Sequence, residues 1–398
     1  MNFILFDGEE REGLLPFTFT RPVAAIRTGI LTMAEKWERN LGQSVSYKTQ
    51  PYLQVKYPLQ SADDNILING AYGPEPALIQ AIHTLQSGEG LYDEEKLIAC
   101  RVDAASLSSF DHAQTFKSIS YSHTGIHIRF TYDIFSLNDK AIREDFELLT
   151  RGRMSEPLSD TNQYLKKERI FIEPGAKVEF SILNATDGPI YIGKDAEVME
   201  GCKIRGPFAL CEHGGLKMDA KIYGATTVGP YCKVGGEVTN SVFFGYSNKG
   251  HDGFIGNSVI GEWCNLGADT NNSNLKNTYE EVKLWSYRTG KFEKTGLTFC
   301  GLIMGDHSKC GINTMFNTGT VVGVAANIFG SGFPRNFIPS FAWGGAQGFE
   351  TFQLKKMYQV AVAMCSRRNV EFTTDDQAII DEVFRLTATY RLWEKNKD

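Results

Sequence analysis

The 398-residue sequence carries no strong charge of either sign, no long apolar run and no closely spaced cysteine pair. Its formal net charge of −6 offers no basic surface to nucleic acid or to an acidic membrane. No apolar stretch reaches the length of a membrane span, so no membrane insertion is expected. The opening MNFILFDGEE has no basic leader and only a short apolar run. It reads as a first β-strand rather than a signal peptide, and the expected location is the cytoplasm. The eight cysteines form no CxxC pair and no Cys/His group at zinc spacing, which leaves them as small buried hydrophobes. Glycine is the excess: 39 residues, concentrated in the second half of a chain long enough for two domains.

The glycines accompany a repeat. Ile192, Val198, Ile204, Leu210, Leu216, Ile222, Val228 and Val234 stand six apart. Phe254, Ile260 and Leu266 resume the interval in a new phase, and Met304, Cys310, Phe316, Val322 and Ile328 repeat it again. Neither a helix (3.6) nor a strand (2) gives a period of six. Short straight segments joined by turns do, with three segments closing one triangular coil of roughly 18 residues. A β-solenoid is therefore predicted over about 170–335, with each aliphatic side chain pointing inward. Two stretches break the period, about 237–253 and about 271–300, and are expected to leave the scaffold as loops. This hexapeptide rule resembles that of left-handed parallel β-helix acyltransferases, a resemblance that implies the handedness and a homotrimer.

The segment KGHDGFIGNSVIGEWCNLGADTNNSN resembles the acetyltransferase domain of the GlmU family, bifunctional enzymes of UDP-N-acetylglucosamine synthesis. One ungapped frame aligns Gly250-His251, Phe254-Ile255-Gly256, Asn265-Leu266-Gly267-Ala268-Asp269 and Asn274 with family phrases. The resemblance implies that His251 is the general base removing a proton from the attacking amine, work to which imidazole is suited near pH 7. It further implies that Asn265 binds sugar phosphate, that Asn274 lies near the sugar amine and that Ala268 meets the acetyl-CoA thioester. Lys221 takes a phosphate-binding arginine's place, and Glu237 falls on an acidic position that orients imidazole or substrate. Phe254, Thr239 and Leu275 replace a tyrosine, a lysine and a tyrosine, and Ile312 a serine. Those departures leave the acyl acceptor open.

The N-terminal phrase LLPFTFTRPVAAIRTGI, after the strand FILFDG, resembles the opening of sugar-1-phosphate nucleotidyltransferases. In those enzymes a glycine-rich loop cradles nucleotide phosphates. Here the loop is GEEREG, 8–13, with three acidic residues; Val23 holds the lysine position, flanked by Arg21 and Arg27 as alternative cations. The stretch NILINGAYGPEPALIQAI places Asn69 as a nucleotide- or phosphate-contact candidate and Ala71 where the family has a magnesium-binding aspartate. Asp103, in the next strand-like run, is the fallback metal ligand. Helices are expected near 28–40 and 76–87, alternating with strands.

After residue 335 the repeat stops. TFQLKKMYQVAVAMCSRR is an amphipathic helix candidate, and Thr374 with Gln377 forms a capping-box pattern opening a second helix. Both are expected to cap the open solenoid end. The predicted organisation is thus a compact α/β nucleotidyltransferase-like domain (1–165), a left-handed β-helix acyltransferase domain (166–335) and a helical tail (336–398). The predicted functions are acetyl-CoA-dependent N-acetylation of an amino-sugar 1-phosphate and Mg2+-dependent nucleotidyl transfer, from UTP or dTTP, to a sugar 1-phosphate. The alternatives are an acyltransferase with a vestigial nucleotide-binding domain, or a non-catalytic trimeric scaffold that binds nucleotide sugars.

Overall fold

A computed structural model describes residues 1–394, which divide by their contacts into two compact units. The first holds 1–27 and 31–130; the second holds 28–30 and the chain from 131 onward. In the first unit, the apolar run Asn2–Phe6 pairs in parallel with Ser46–Lys48 on one side and Asp64–Asn69 on the other. Lys96–Asp103 then pairs antiparallel with Asp64–Asn69, and Glu89–Asp93 and Lys117–Ser120 complete a six-stranded sheet. The helices Met33–Leu41 and Pro76–Thr84 match the expected ones. Thr32 and Glu35 cap the former reciprocally. The segment predicted as an open GEEREG loop instead winds into a helical turn, Glu10–Gly13.

The second unit is a parallel β-solenoid of about ten turns, the left-handed β-helix fold. Three sheets form its faces. Face I runs from Gln163–Leu165 through Lys221–Tyr223 and Glu237–Thr239 to Phe254–Gly256. Face II runs from Ile170–Ile172 to Phe337–Ile338, and face III from Lys177–Val178 to Ala342–Gly345. Ordered coils thus continue to residue 345, beyond the predicted end of the repeat. Of the sixteen predicted inward positions, fifteen belong to one continuous buried core. Each such side chain contributes roughly 1.5–3 kcal/mol on burial, which is what selects the triangular coil over other arrangements of short strands.

The exception is Phe254. It is only half-buried, and Ile255 takes the inward place. The cause is a change in coil length. Ile204 pairs with Ile222, eighteen residues on, but Val228 pairs with Phe243, fifteen on, and Val238 with Ile255, seventeen on. The predicted loop at 237–253 is therefore a shortened coil of the solenoid, with strands Glu237–Thr239, Val242–Gly245 and Asn248–Lys249. The second interruption is a true excursion. After Asn271–Asn272, which still pairs with Met315–Phe316, it carries an antiparallel hairpin, Lys283–Ser286 with Lys291–Lys294.

The tail forms two helices, Leu354–Ser366 and Thr374–Leu386. The cap of the second is Thr373 with Asp376, one residue before the predicted pair, because Asp376 supplies the carboxylate that returns to the Thr373 N–H. Phe384 packs edge-on to Phe341 near the solenoid end. The first helix does more than cover that end: Val360 and Met364 lie beside face III residues, and Arg368 donates to Asn248 Oδ1 at 3.0 Å. No helix among the described residues is long and apolar enough to cross a membrane.

Candidate active site

His251 occupies the turn that carries the chain from face III (Asn248–Lys249) to face I (Phe254–Gly256), and its side chain is exposed. The turn is fixed from beneath. Lys249 stands in register with Val234, at a place where other coils put hydrocarbon, and is 1% exposed. Its ammonium donates to the carbonyl of His251 and, at 2.9 Å, to that of Asp252. Burial pulls the Lys249 pKa down to about 8. Gly253 closes the turn with φ at +116°, where a side chain would also meet the Thr270 carbonyl.

On the face III side of this corner lies a pocket of about 790 Å³ that brings together His251, Asn265 and Ala268, with Ile312 also in its wall. Five cations line it, Lys217, Lys233, Lys309, Arg367 and Arg368, and no acidic residue does. Burial and then the neighbouring charges of Arg368 and Lys217 lower the Lys233 pKa. Burial alone brings Lys309 down to about 8. A lining of cations with no carboxylate in it suits a multiply charged anion. Tyr246 and Trp263 supply an aromatic wall. They belong to a column of rings on one solenoid edge, His213–Tyr231–Tyr246–Trp263–His307, with successive centroids 4.6, 4.9, 4.3 and 6.4 Å apart. All five residues have left-handed backbones, so ring stacking offsets the strain of each corner.

The other expected residues of this half lie on the face I side. Glu237 pairs in register with Lys221 and with Phe254. Its carboxylate accepts from Tyr223 at 2.5 Å rather than from the His251 ring. Asn274 donates to Asn257 Oδ1 at 2.8 Å, and both its amide and the Phe254 ring close over Gly256. His251 therefore sits on an edge with two groups: the cationic pocket on one face, and Lys221, Glu237 and Asn274 on the next.

In the first unit, the C-terminal ends of the parallel strands carry a buried polar cluster, the place where open α/β sheets bind ligands. Glu10 Oε1 lies 2.9 Å from His127 Nε2, and Asn69 Nδ2 donates to Glu10 Oε2 at 3.1 Å. Burial pushes the Glu10 carboxyl up, but these hydrogen bonds outweigh it and hold the pKa below the ordinary value. The Tyr72 ring stacks on His127 at 3.8 Å. Asn69 is thus committed to Glu10 and, through Oδ1, to the Ala71 N–H. Arg21 and Arg27 are both buried, and Arg27 lies 3.5 Å from Glu35. Asp103 is exposed and caps the helical turn after it by accepting from the Ser106 N–H. No group of three or more His, Cys, Asp or Glu suited to a metal occurs among the described residues. The residues present do not fit a protein-held magnesium at Asp103.

Sequence reasoning missed Glu10, His127, Lys249 and the five pocket cations. Two of the pocket lysines carried a signal: Lys233 and Lys309 each directly precede an inward residue, so each projects from a face. Arg367 and Arg368 carried none, since only the fold returns the tail to face III. All eight cysteines are free and buried, as expected.

The chain thus holds a β-helix with a basic pocket at a histidine corner, preceded by an α/β unit with a polar cluster at its strand ends. Residues 3–154 match the family model described as sugar nucleotidyl transferase. A bifunctional sugar-1-phosphate nucleotidylyltransferase/acetyltransferase of Sulfurisphaera tokodaii is 29% identical over 172 residues, 43% of this chain and 42% of that protein. The bifunctional protein GlmU of Methanocaldococcus jannaschii is 34% identical over 87 residues, 22% of this chain and 21% of that one. GlmU of Gloeothece citriformis is 32% identical over 126 residues, 31% and 25% of the two chains. The matched region spans less than half the length of each relative. A solved Arabidopsis UDP-N-acetylglucosamine acyltransferase aligns with 60% of this chain and 95% of its own at 12% identity and a TM-score of 0.20, too loose a likeness to bear on activity. The family match and the bifunctional relatives support a GlmU-like transferase.

Proposed function

We propose that the β-helix unit transfers an acetyl group from acetyl-CoA to the amine of an amino-sugar 1-phosphate, with His251 as general base. The observation that carries this reading is the pocket in which His251, Asn265 and Ala268 share a wall with five cations and no carboxylate. Coenzyme A is a polyanion with an aromatic base, and the pocket offers both cations and the Tyr246–Trp263 wall. Lys221, Glu237 and Asn274 form the acceptor side, with Asn265 reaching the sugar phosphate from the pocket. A homotrimer would set face I of one copy against face III of the next and complete the site.

In this mechanism the thioester carbonyl lies against the backbone at Ala268, and neutral His251 accepts a proton as the amine attacks. The C–S bond then breaks, and the leaving thiolate takes that proton from the His251 imidazolium, which returns the base to its starting state. Lys249 holds the carbonyls of His251 and Asp252 and so fixes the turn that presents the ring.

For the first unit we propose nucleotidyl transfer to a sugar 1-phosphate, from UTP or dTTP, with pyrophosphate released. Arg21, Arg27 and Asn69 remain its proposed phosphate and nucleotide contacts, and Mg2+ its proposed co-reactant. The segments 1–165, 166–335 and 336–398, and a cytoplasmic setting, belong to the same proposal. Assaying CoA release and pyrophosphate release separately, with glucosamine 1-phosphate and its N-acetyl form, tests the two halves. CoA release without pyrophosphate would favour the acyltransferase with a vestigial first domain; neither product would favour the binding scaffold.

A further inference from the structure

A second cavity, of about 1190 Å³, lies between the 283–294 hairpin, the end of the solenoid and the tail, and shares no lining residue with the His251 pocket. One side of it is aromatic. Trp285 stacks on Phe337 at 4.3 Å and 13°, and Tyr390 stands edge-on to both rings. Phe292, from the hairpin, is 44% exposed. The polar side is basic, with Lys283 and Arg335 in the lining and no acidic residue. Neither cation has a carboxylate partner among the described residues. The insertion that builds this cavity breaks a solenoid that would otherwise continue from Ile260 to Met304 in a single step.

We propose that this cavity is a second ligand site, taking a nucleoside diphosphate, free or as its sugar conjugate. A planar base covers the aromatic cluster by stacking, and the diphosphate neutralises Lys283 and Arg335. A purely apolar ligand would leave the two cations without a counter-charge, and inorganic phosphate would leave the rings uncovered. The size is ample for a nucleotide sugar, since pockets for drug-sized ligands run from about 300 to 1,000 Å³. The inference stands on this cavity alone and is independent of the acetyl-transfer reading.

The test is photo-crosslinking of the full-length protein with 5-azido-uridine diphosphate, followed by mapping of the labelled peptides. Label is expected in peptides covering 283–294 and 335–349, displaced by UDP but not by uridine. The double variant Lys283→Ala/Arg335→Ala should lower that label at least tenfold while its circular dichroism spectrum and CoA release stay unchanged. Label absent from those peptides, undiminished in the double variant, or displaced equally by uridine would overturn the proposal.

Discussion

Lys249 occupies a place where neighbouring coils put hydrocarbon, and its charge is what makes the turn above it specific. The free side chain keeps its proton to about pH 10.4, whereas in the fold burial brings the pKa down to about 8. Between these values the unfolded chain binds more protons, so the Lys249 contribution to stability rises with pH across that window and is level below it. Urea midpoints of the native protein and Lys249→Met, compared from pH 7 to 10, check this. The native protein should gain on the variant above pH 8, and a gap that narrows there refutes the assignment. The same variant loses the two donors to the His251 and Asp252 carbonyls, so CoA release should fall more than the melting temperature explains. At this scale the sequence was partly legible. The ungapped frame singled out His251, Asn265 and Ala268, which share one pocket. It did not reveal Lys249, because a lysine before a glycine-histidine pair reads as a solvated loop residue until the coil beneath it is known.

At the scale of elements, the six-residue period was legible wherever coils are eighteen residues long, and failed where they shorten to fifteen and seventeen. Phe254 shows how: a single-residue shift moves its side chain out of the core and puts Ile255 there. Apolar periodicity cannot report such a change when both residues are apolar. The Leu354–Ser366 helix was visible from its pattern, but not its place along face III, because that depends on a long-range return of the chain. Its end delivers Arg367 and Arg368 to the pocket. Replacing both by alanine should raise the KM for acetyl-CoA about tenfold or more, as expected for lost charge-assisted contacts, with little change in kcat because neither touches the reacting atoms. Steady-state kinetics at two salt concentrations read this directly; an unchanged KM would remove the helix from the donor site. In the ring column, Trp263→Ala should cost roughly 3–5 kcal/mol, the usual range for an aromatic deletion from a packed site. A loss below about 1 kcal/mol in chemical denaturation would mean that the stack does not hold the corners.

Across the whole molecule, the two activities proposed for the two units predict separable losses. Substitutions at Glu10 or His127 should affect pyrophosphate release and leave CoA release intact, because these groups meet one another, Asn69 and Tyr72 in the first unit. Assembly is predicted to matter for acetyl transfer. Sedimentation should show a trimer, and dilution to monomer should abolish CoA release while sparing pyrophosphate release. The order of an α/β unit before a solenoid was legible because strand alternation and the period of six are local signals. The Glu10–His127 pair was not, because the expected phosphate loop winds into a helical turn and the two residues lie more than a hundred positions apart.

The central claim is acetyl transfer at the His251 corner, and one measurement tests it most directly: CoA release from acetyl-CoA with glucosamine 1-phosphate, native protein against His251→Ala. The account predicts steady release from the native protein and a loss of about 10²–10⁴-fold in kcat for the variant, the range for removing a general base. Release by His251→Ala at the native rate would contradict it.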